Sequence, residues 1–240
     1  MSELLYSKTL RIRSEQVDMT RFLRVSELFR LMEEASIAHT EALGFPRQTT
    51  LDRGLLWVIT RQSAMIEELP RYDDEITVLS WPGEMMHVFF PRFYQIKRRD
   101  QVLVRGQALW MLIHEDTRDM VMPEDYGIEI PGLADSPEPD MMPVRKPASC
   151  EDVFYEEELV TRFSQTDING HMNNTRYFDL IDDALPEEVR TVHAPWQIRA
   201  EYLSELRYKD TFTLRGYNGE DARYFEGSAD RSKVRVLLEY

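Results

Sequence analysis

Three polar residues at alternating positions, Asp167, Asn169 and His171, stand directly before an amphipathic helix. An imidazole can donate a hydrogen bond or carry a proton near neutral pH, and a nearby carboxylate can orient it or take a proton from water. A carboxamide can hold water or substrate without changing charge. The unpaired N–H groups at the helix start, near Asn173 and Asn174, could polarise a carbonyl, although both residues could equally be plain caps. The segment predicts a site that activates water and stabilises an oxyanion.

Part of this segment recurs in the first half of the chain. The helix around Phe178 matches the helix around Phe29 at a spacing of 149 residues (178 − 29 = 149), and apolar and acidic positions coincide along both. A second match joins ELPRYDDEITVLSW, which begins at Glu68, to ELRYKDTFTLRGY, which begins at Glu205, if one residue is inserted in the first copy. Two long copies indicate two similar domains and not a solenoid.

Each half of the sequence follows the same order of elements. A short strand comes first, then a long helix, then strand-like runs separated by turn signals or charged residues. In the first half Ser26 is a candidate N-cap and Gly44 a candidate C-cap, and the second helix is expected near residues 174–184. Short connections between the later strands permit hairpins, and the helix needs an apolar surface on which to pack. The pattern predicts an α+β fold in which antiparallel strands wrap a central helix in each half.

The boundary between the halves lies in a polar, proline-rich segment. Residues 131–147 read PGLADSPEPDMMPVRKP and show little hydrophobic periodicity, which is typical of a linker. We therefore expect an N-terminal domain at residues 1–130, a linker at 131–150 and a C-terminal domain at 151–240.

The two copies differ at the polar set. Where the second copy has Asn169 and His171, the first has Thr20 and Phe22, and Asp18 keeps the acidic position. An imidazole and a carboxamide are therefore not needed to pack this motif. The contrast favours catalysis by the second half and a degenerate site in the first.

Composition limits the partners and the compartment. With 240 residues, 42% of them hydrophobic and 30% charged, the chain can bury one large or two modest cores. Its net charge of −14 argues against broad binding to nucleic acid or anionic membranes. Cys150 is the single cysteine, and the first residues contain neither a signal peptide nor an apolar run of the roughly 20 residues that span a bilayer. We expect a cytoplasmic protein, and we predict neither a cofactor nor a metal site.

The run RFSQTDINGHMNNTRYFDLIDDALP resembles the active-site segment of the acyl-acyl carrier protein thioesterases, the plant FatA and FatB type with bacterial relatives. In that family Asp-x-Asn-x-His is followed by a hydrophobic residue, Asn-Asn and a nearby Tyr, which here are Met172, Asn173, Asn174 and Tyr177. The segments LWVITR, ALWMLIHEDTRDMVMP and AEYLSELRYKD also resemble the family, in the same order. The resemblance implies a tandem hotdog fold of two antiparallel sheets, each wrapping a long central helix. It also implies that the C-terminal half carries catalysis and that the N-terminal half contributes much of the acyl pocket.

The resemblance also assigns site residues. Asp167, Asn169 and His171 correspond to the family's catalytic Asp, Asn and His, and Glu205 corresponds to a fourth catalytic residue. Leu206 stands where plant members often have Cys, so a Cys-His nucleophile cannot operate there. Water activated by Glu205 or Asp167 as general base is then the better account.

The activity that the resemblance implies is hydrolysis of a fatty acyl-acyl carrier protein thioester in fatty acid biosynthesis. Hydrolysis of coenzyme A thioesters, dehydratase chemistry and non-hydrolytic acyl binding use the same scaffold and stay open as alternatives. Acyl carrier protein is acidic, so a chain with a net charge of −14 needs a local basic patch to bind it. The candidate basic residues are Arg92, Lys97, Arg98, Arg99, Arg105, Arg199, Arg207 and Lys209.

Two further expectations concern assembly and origin. A duplicated chain already supplies the paired hotdog halves, so a monomer is adequate, with a homodimer as the alternative. Plant members carry a plastid transit peptide, whereas this chain begins almost directly at its first strand. It therefore resembles a bacterial member.

Overall fold

The computed structural model describes residues 4–190 and 196–240 of the chain. The strands are β1 (Tyr6–Arg11), β2 (Leu55–Ile66), β3 (Glu75–Pro82), β4 (Phe89–Arg98), β5 (Gln101–His114), β6 (Asp152–Val160), β7 (Trp196–Tyr202), β8 (Thr211–Asn218), β9 (Ala222–Ser228) and β10 (Ser232–Glu239). The α-helices are α1 (Val25–Ala42), α2 (Arg47–Leu51), α3 (Arg176–Ala184) and α4 (Glu187–Arg190). Short 3-10 helices lie at Ser14–Gln16, Pro123–Tyr126 and Phe163–Gln165. Among the described residues no helix is long and apolar enough to cross a membrane.

The strands of both halves form one continuous antiparallel sheet. The first half contributes the order β1, β3, β4, β5, β2, and the second half contributes β7, β10, β9, β8, β6. The second order is the first one reversed, element for element, so the two halves have the same topology. They meet where β2 pairs with β7, from Arg61 opposite Glu201 to Ile66 opposite Trp196. The two sheets that the resemblance implies are therefore joined edge to edge.

The two longest helices pack on each other in the core. The rings of Phe29 and Phe178, which the repeat places at matching positions, stack with centroids 4.2 Å apart and planes 6° apart. Both side chains are buried, and they belong to one apolar cluster that spans both halves. The helices differ in length, since α1 has 18 residues and α3 has 9.

The structure shifts both predicted ends of helix α1 toward the N-terminus; its C-cap is Leu43, and Gly44 follows the cap. Helix α1 begins at Val25, so Ser26 lies inside its first turn and not at its N-cap. The backbone explains the earlier start, because the Arg24 N–H already donates to the Gln16 carbonyl at 3.0 Å and fixes the entry of the chain. At the other end Gly44 has φ +94 and its N–H donates to the Glu41 carbonyl at 3.0 Å. Glycine adopts this conformation without steric cost, which ends the helix there.

The second match of the repeat holds without the predicted insertion. The Leu23 N–H donates to the Pro70 carbonyl and the Met172 N–H to the Leu206 carbonyl, both at 2.7 Å. Pro70 is therefore the counterpart of Leu206 (206 − 70 = 136). By the same spacing Leu69, and not Glu68, is the counterpart of Glu205 (205 − 69 = 136). The predicted alignment was wrong because it matched identical residue types that lie one position out of register. The backbone hydrogen bonds give the correct register.

The segment between the halves has no helix or strand over residues 131–151, all of which the structure describes. It nevertheless packs on the second half. Val144 and Cys150 are buried against Ala222, Tyr224 and Leu237. The boundaries 1–130, 131–150 and 151–240 stay a prediction.

Candidate active site

Asp167 organises a tight turn that carries the predicted site residues. Its Oδ1 accepts hydrogen bonds from the N–H groups of Asn169 at 2.8 Å and His171 at 3.1 Å. Gly170 closes the turn with φ +78, a conformation that favours glycine. The turn thereby fixes the backbone from which the His171 imidazole projects.

The same turn occurs in the first half, where no catalytic set is present. Asp18 Oδ1 accepts from the N–H groups of Thr20 at 2.8 Å and Phe22 at 3.3 Å. The aspartate thus has one structural role in both copies. Among the described residues the Asp167 carboxylate accepts hydrogen bonds from backbone N–H groups and from the Asn169 amide. A direct role of Asp167 in proton transfer stays a prediction, and these contacts favour positioning.

Glu205, and not Asp167, is the carboxylate that meets the imidazole. Glu205 Oε2 lies 3.2 Å from His171 Nε2. Backbone pairing brings them together, because His171 forms a bridge with Arg207 and Met172 donates to the Leu206 carbonyl. Their counterparts in the first half, Phe22 and Leu69, are both buried and apolar. One half therefore holds an apolar pair where the other holds an acid and a base.

Leu206 has no reactive side-chain group and packs in the core beside the site. Its side chain is 1% exposed and belongs to the main apolar core. Its carbonyl holds Met172 in place. No nucleophilic side chain stands beside Glu205 at that position.

Arg118 completes the pair from the other half of the chain. It follows β5, and its Nε lies 3.4 Å from Glu205 Oε2 while its Nη2 lies 3.4 Å from His171 Nε2. Arginine is only a donor, so His171 Nε2 is the acceptor in its contact with Arg118; when Nε2 carries a proton instead, it can donate to Glu205, which is only an acceptor. The guanidinium then stabilises the carboxylate. Arg118 lies within the family-like segment ALWMLIHEDTRDMVMP, but nothing in its spacing signalled a contact across the two halves.

Asn169 lies on the turn but turns away from the acid–base pair. Its Nδ2 donates to Asp167 Oδ2 at 3.3 Å, and its Oδ1 accepts from Arg47 Nη2 at 2.5 Å. Arg47 begins α2 in the first half and makes a second contact between the halves that no local pattern predicted. In this arrangement both polar ends of the Asn169 amide already have partners.

The two asparagines before α3 have different roles. The Asn173 N–H donates to the Gln165 carbonyl at 2.9 Å, and Asn173 Oδ1 accepts from the Thr175 N–H at 2.9 Å. Asn173 is therefore a cap, and its N–H is not free to hold an oxyanion. The Asn174 N–H donates to no described residue and lies at the positive end of the helix, so it can accept this role.

A cavity of about 920 Å³ adjoins these groups. His171, Glu205, Asn169, Asn174 and Arg118 all line it. Much of the remaining wall is apolar and comes from β2, β4 and β5 of the first half. Its apolar members there include Leu55, Leu56, Ile59, Phe90, Trp110 and Met111.

Several cations of the predicted basic patch are engaged elsewhere. Arg92 is 4% exposed, with its guanidinium on His39 Nδ1 and Thr40 Oγ1, so it faces the interior. Burial lowers its pKa to about 10. Ion pairs join Arg98 to Glu68, Arg105 to Glu67 and Arg199 to Asp140. These four arginines are therefore poor docking residues. Of the predicted cations, Arg92 and Arg207 line the cavity, and four further cations join them: Arg47, Arg118, Arg231 and Lys233.

The described residues contain no cluster of three or more His, Cys, Asp or Glu side chains able to hold a metal ion.

Family models match both halves of the chain. The model described as "Acyl-ACP thioesterase N-terminal domain" matches residues 3–129, and the model described as "Acyl-ACP thioesterase C-terminal domain" matches residues 149–230. The chain belongs to the acyl-ACP thioesterase family. The two matches fall on the two halves defined by the repeat, which confirms the resemblance that the sequence carries.

Curated relatives in the acyl-ACP thioesterase family come from plants. A dodecanoyl-[acyl-carrier-protein] hydrolase of Cinnamomum camphora is 27% identical over 218 residues, covering 84% of this chain and 56% of that protein. An oleoyl-acyl carrier protein thioesterase of Coriandrum sativum is 24% identical over 225 residues, covering 86% of this chain and 61% of that protein. The chain thus spans a little over half the length of these relatives.

Solved structures confirm the tandem hotdog fold of the acyl-ACP thioesterase family. A 12:0-ACP thioesterase of Umbellularia californica has a TM-score of 0.79 at 22% identity, covering 98% of this chain and 96% of that one. An acyl-ACP thioesterase of Bacteroides thetaiotaomicron has a TM-score of 0.77 at 20% identity, covering 100% and 99%. At such low identity these likenesses establish the fold alone.

Proposed function

We propose that this protein hydrolyses fatty acyl-acyl carrier protein thioesters to a free fatty acid and the carrier thiol. The observation that carries the proposal is the contact of His171 with Glu205, 3.2 Å long, on the wall of a largely apolar cavity. Family membership supports the same activity.

In the reaction Glu205 acts as the general base. Its carboxylate takes a proton from water while the water oxygen bonds to the thioester carbonyl carbon. The tetrahedral intermediate collapses, the carbon–sulfur bond breaks, and the sulfur receives the proton through Glu205 and His171. One water and one thioester thus give one acid and one thiol, with no covalent enzyme intermediate.

The oxyanion of this intermediate is stabilised at the start of α3. The unpaired Asn174 N–H and the positive end of the helix favour negative charge there. His171 stays beside Glu205 and can donate or carry a proton near neutral pH. Asp167 holds the turn that places the imidazole, and Asn169 with Arg47 ties the turn to the first half.

The acyl chain occupies the apolar part of the cavity. Burying a methylene group is worth about 0.8 kcal/mol, so a wall of Leu, Ile, Phe and Trp side chains binds a hydrocarbon chain and excludes water. The first half therefore supplies binding, and the second half supplies the reacting groups. This division accounts for the loss of polar residues from the first copy of the motif.

The carrier reaches the site past a set of cations. Arg207 and Arg231 are exposed, line the cavity and carry positive charge near the reacting groups. They offset locally the net charge of −14, which would repel an acidic carrier protein at long range. The same cations favour the phosphates of coenzyme A, so hydrolysis of acyl-coenzyme A is the second candidate.

A thiol-release assay tests the activity. Acyl carrier protein and coenzyme A thioesters of one chain length are offered to the wild type and to His171→Ala, with free thiol measured over time. We expect release from the carrier protein thioester and a loss of about 10²-fold or more in His171→Ala. The control is Glu68→Gln, which changes an acid paired with Arg98 outside the site. Tight acyl binding without thiol release by the wild type would identify a binding protein and reject hydrolysis.

A further inference from the structure

Glu33 is a carboxyl group on the cavity wall, and one of its oxygens has no hydrogen-bond partner in the described part of the chain. It lies near the middle of α1 and lines the cavity with His171 and Glu205. Its Oε2 is shielded from solvent and makes no hydrogen bond to any described residue. The nearest cation on the helix, Arg30, is already paired with Glu27 and Glu34. Glu33 therefore differs from Glu27 and Glu34, the two acids of α1 that pair with Arg30.

The charged and titratable groups around Glu33 favour its neutral form. Burial is the main reason that its pKa is raised to about 7, and the negative charges of Asp167 and Glu34 raise it further. Arg30 opposes this effect. From the sheet, Tyr94 of β4 and Tyr202 of β7 face the carboxyl group, and neither supplies a positive charge. At neutral pH a large share of the molecules holds Glu33 as a carboxylic acid.

Glu33 lies near the turn that carries the predicted site residues. It is close enough to Asp167 for the two carboxylates to repel each other. The negative charge of Glu33 also contributes to raising the pKa of Tyr202, whose hydroxyl donates to the Asn174 carbonyl at 3.3 Å. Asn174 provides the free N–H at the start of α3. Glu33 of α1 and the N-terminus of α3 therefore lie on the same part of the cavity wall, linked by Tyr202.

A buried carboxyl group without a hydrogen-bond partner does not stabilise the fold. Leaving a buried polar group without a partner costs roughly 1–3 kcal/mol, and a charged one costs more. A Leu or Met would line a hydrocarbon cavity at lower cost. A protonated carboxyl, in contrast, offers a hydrogen-bond donor inside a cavity whose occupant carries a carbonyl oxygen.

We propose that Glu33, in its protonated form, is a substrate-contacting residue that donates a hydrogen bond to the carbonyl oxygen of the bound acyl group. The proposal rests on the acyl-thioester substrate proposed above. It gives the first half of the chain a direct part in holding the oxyanion, together with the Asn174 N–H.

A binding experiment tests Glu33 without relying on turnover. The ligand is an acyl-pantetheine amide, which keeps the carbonyl oxygen but resists hydrolysis, and the dissociation constant is measured by calorimetry from pH 5.5 to 8.5. For the wild type we expect Kd to rise above pH 7, by up to about tenfold per pH unit, because the donor form is lost. Glu33→Gln keeps a donor at every pH, so its Kd should stay nearly constant. Glu33→Met should bind more weakly at pH 6, and Glu68→Gln, which changes an acid outside the cavity that is paired with Arg98, should follow the wild type.

The results separate this proposal from the proposed function. If Glu33→Gln shows the same rise in Kd as the wild type, or if folded Glu33→Met binds as tightly as the wild type at pH 6, the role of Glu33 is refuted. Thiol release by the wild type is measured separately and bears on hydrolysis alone. A wild type that binds the amide with the expected pH dependence but releases no thiol would retain Glu33 and reject hydrolysis.

Discussion

Glu205 is held by two side chains from different halves of the chain, His171 at 3.2 Å and Arg118 at 3.4 Å. A carboxylate that must take a proton from water needs a fixed orientation and a stable ionised form. His171 and Arg118 hold the orientation, because both contact the same oxygen, Oε2. The residue matched to Glu205 in the first half is Leu69, so this arrangement is specific to the second half.

We predict that Arg118→Gln lowers kcat by about 10- to 100-fold with little change in KM, because the guanidinium positions Glu205 and does not hold the acyl chain. Steady-state hydrolysis of one acyl carrier protein thioester measures both constants. Arg98→Gln is the matched control, as Arg98 pairs with Glu68 and Asp74 in the same half and should leave kcat unchanged. A rise in KM at constant kcat would instead assign Arg118 to substrate binding.

At the scale of elements, the turn before each helix is the unit that the duplication preserved. Asp18 and Asp167 accept equivalent hydrogen bonds, and the following helices meet at the stacked rings of Phe29 and Phe178. The turn thus has a structural role in both copies, and the proposed catalytic residues stand on it in one copy only. This explains why an acid at this position persists where His171 is replaced by Phe22.

We expect Asp167→Asn to keep most of the activity, because an amide oxygen still accepts from the Asn169 and His171 N–H groups. Asp167→Ala should lose activity and roughly 0.5–2 kcal/mol of stability, the typical cost of a lost side-chain cap. Asp18→Ala should lose similar stability and keep turnover. Thermal melts and thiol release measure the two effects. An inactive but fully folded Asp167→Asn would make the carboxylate itself a chemical participant.

The local sequence was enough to predict these elements, and it failed where tertiary contacts decide. Periodicity located both long helices, and the 149-residue spacing found the shared turn. The predicted match of Glu205 to Glu68 was wrong because it followed residue identity, whereas the backbone hydrogen bonds make Leu69 the counterpart of Glu205 in the repeat. Arg47 and Arg118 escaped prediction because they reach the site from distant positions in the chain. No local pattern records such a contact.

At the scale of the molecule, a largely buried ion pair links strands β2 and β7 at the seam, the junction where the two halves meet. Arg61 Nε donates to Glu201 Oε1 at 2.8 Å, and the other oxygen of Glu201 accepts from the Val144 N–H at 3.2 Å. Arg61 also donates to the Met141 carbonyl at 2.8 Å. One carboxylate therefore joins both halves and the segment between them.

We predict that Glu201→Ala lowers the free energy of unfolding by about 3–5 kcal/mol, since it leaves the Arg61 charge partly buried without its partner. Glu156→Ala removes an exposed partner of Arg215 and should leave the urea midpoint nearly unchanged. Urea unfolding compares the two variants. Equal midpoints for both would show that the seam does not depend on this pair.

The joined sheet also limits how copies of the molecule can meet. Two separate five-stranded sheets would leave β2 and β7 as open edges, whereas among the ten described strands only β1 and β6 are outermost. Strand β6 carries Glu156, Glu157 and Glu158 in succession. Antiparallel pairing of β6 with β6 of another copy would set these carboxylates against each other, and like charges on opposed strands repel. The duplication therefore removes β2 and β7 as free sheet edges, and the acidic run on β6 disfavours pairing of that edge with another copy.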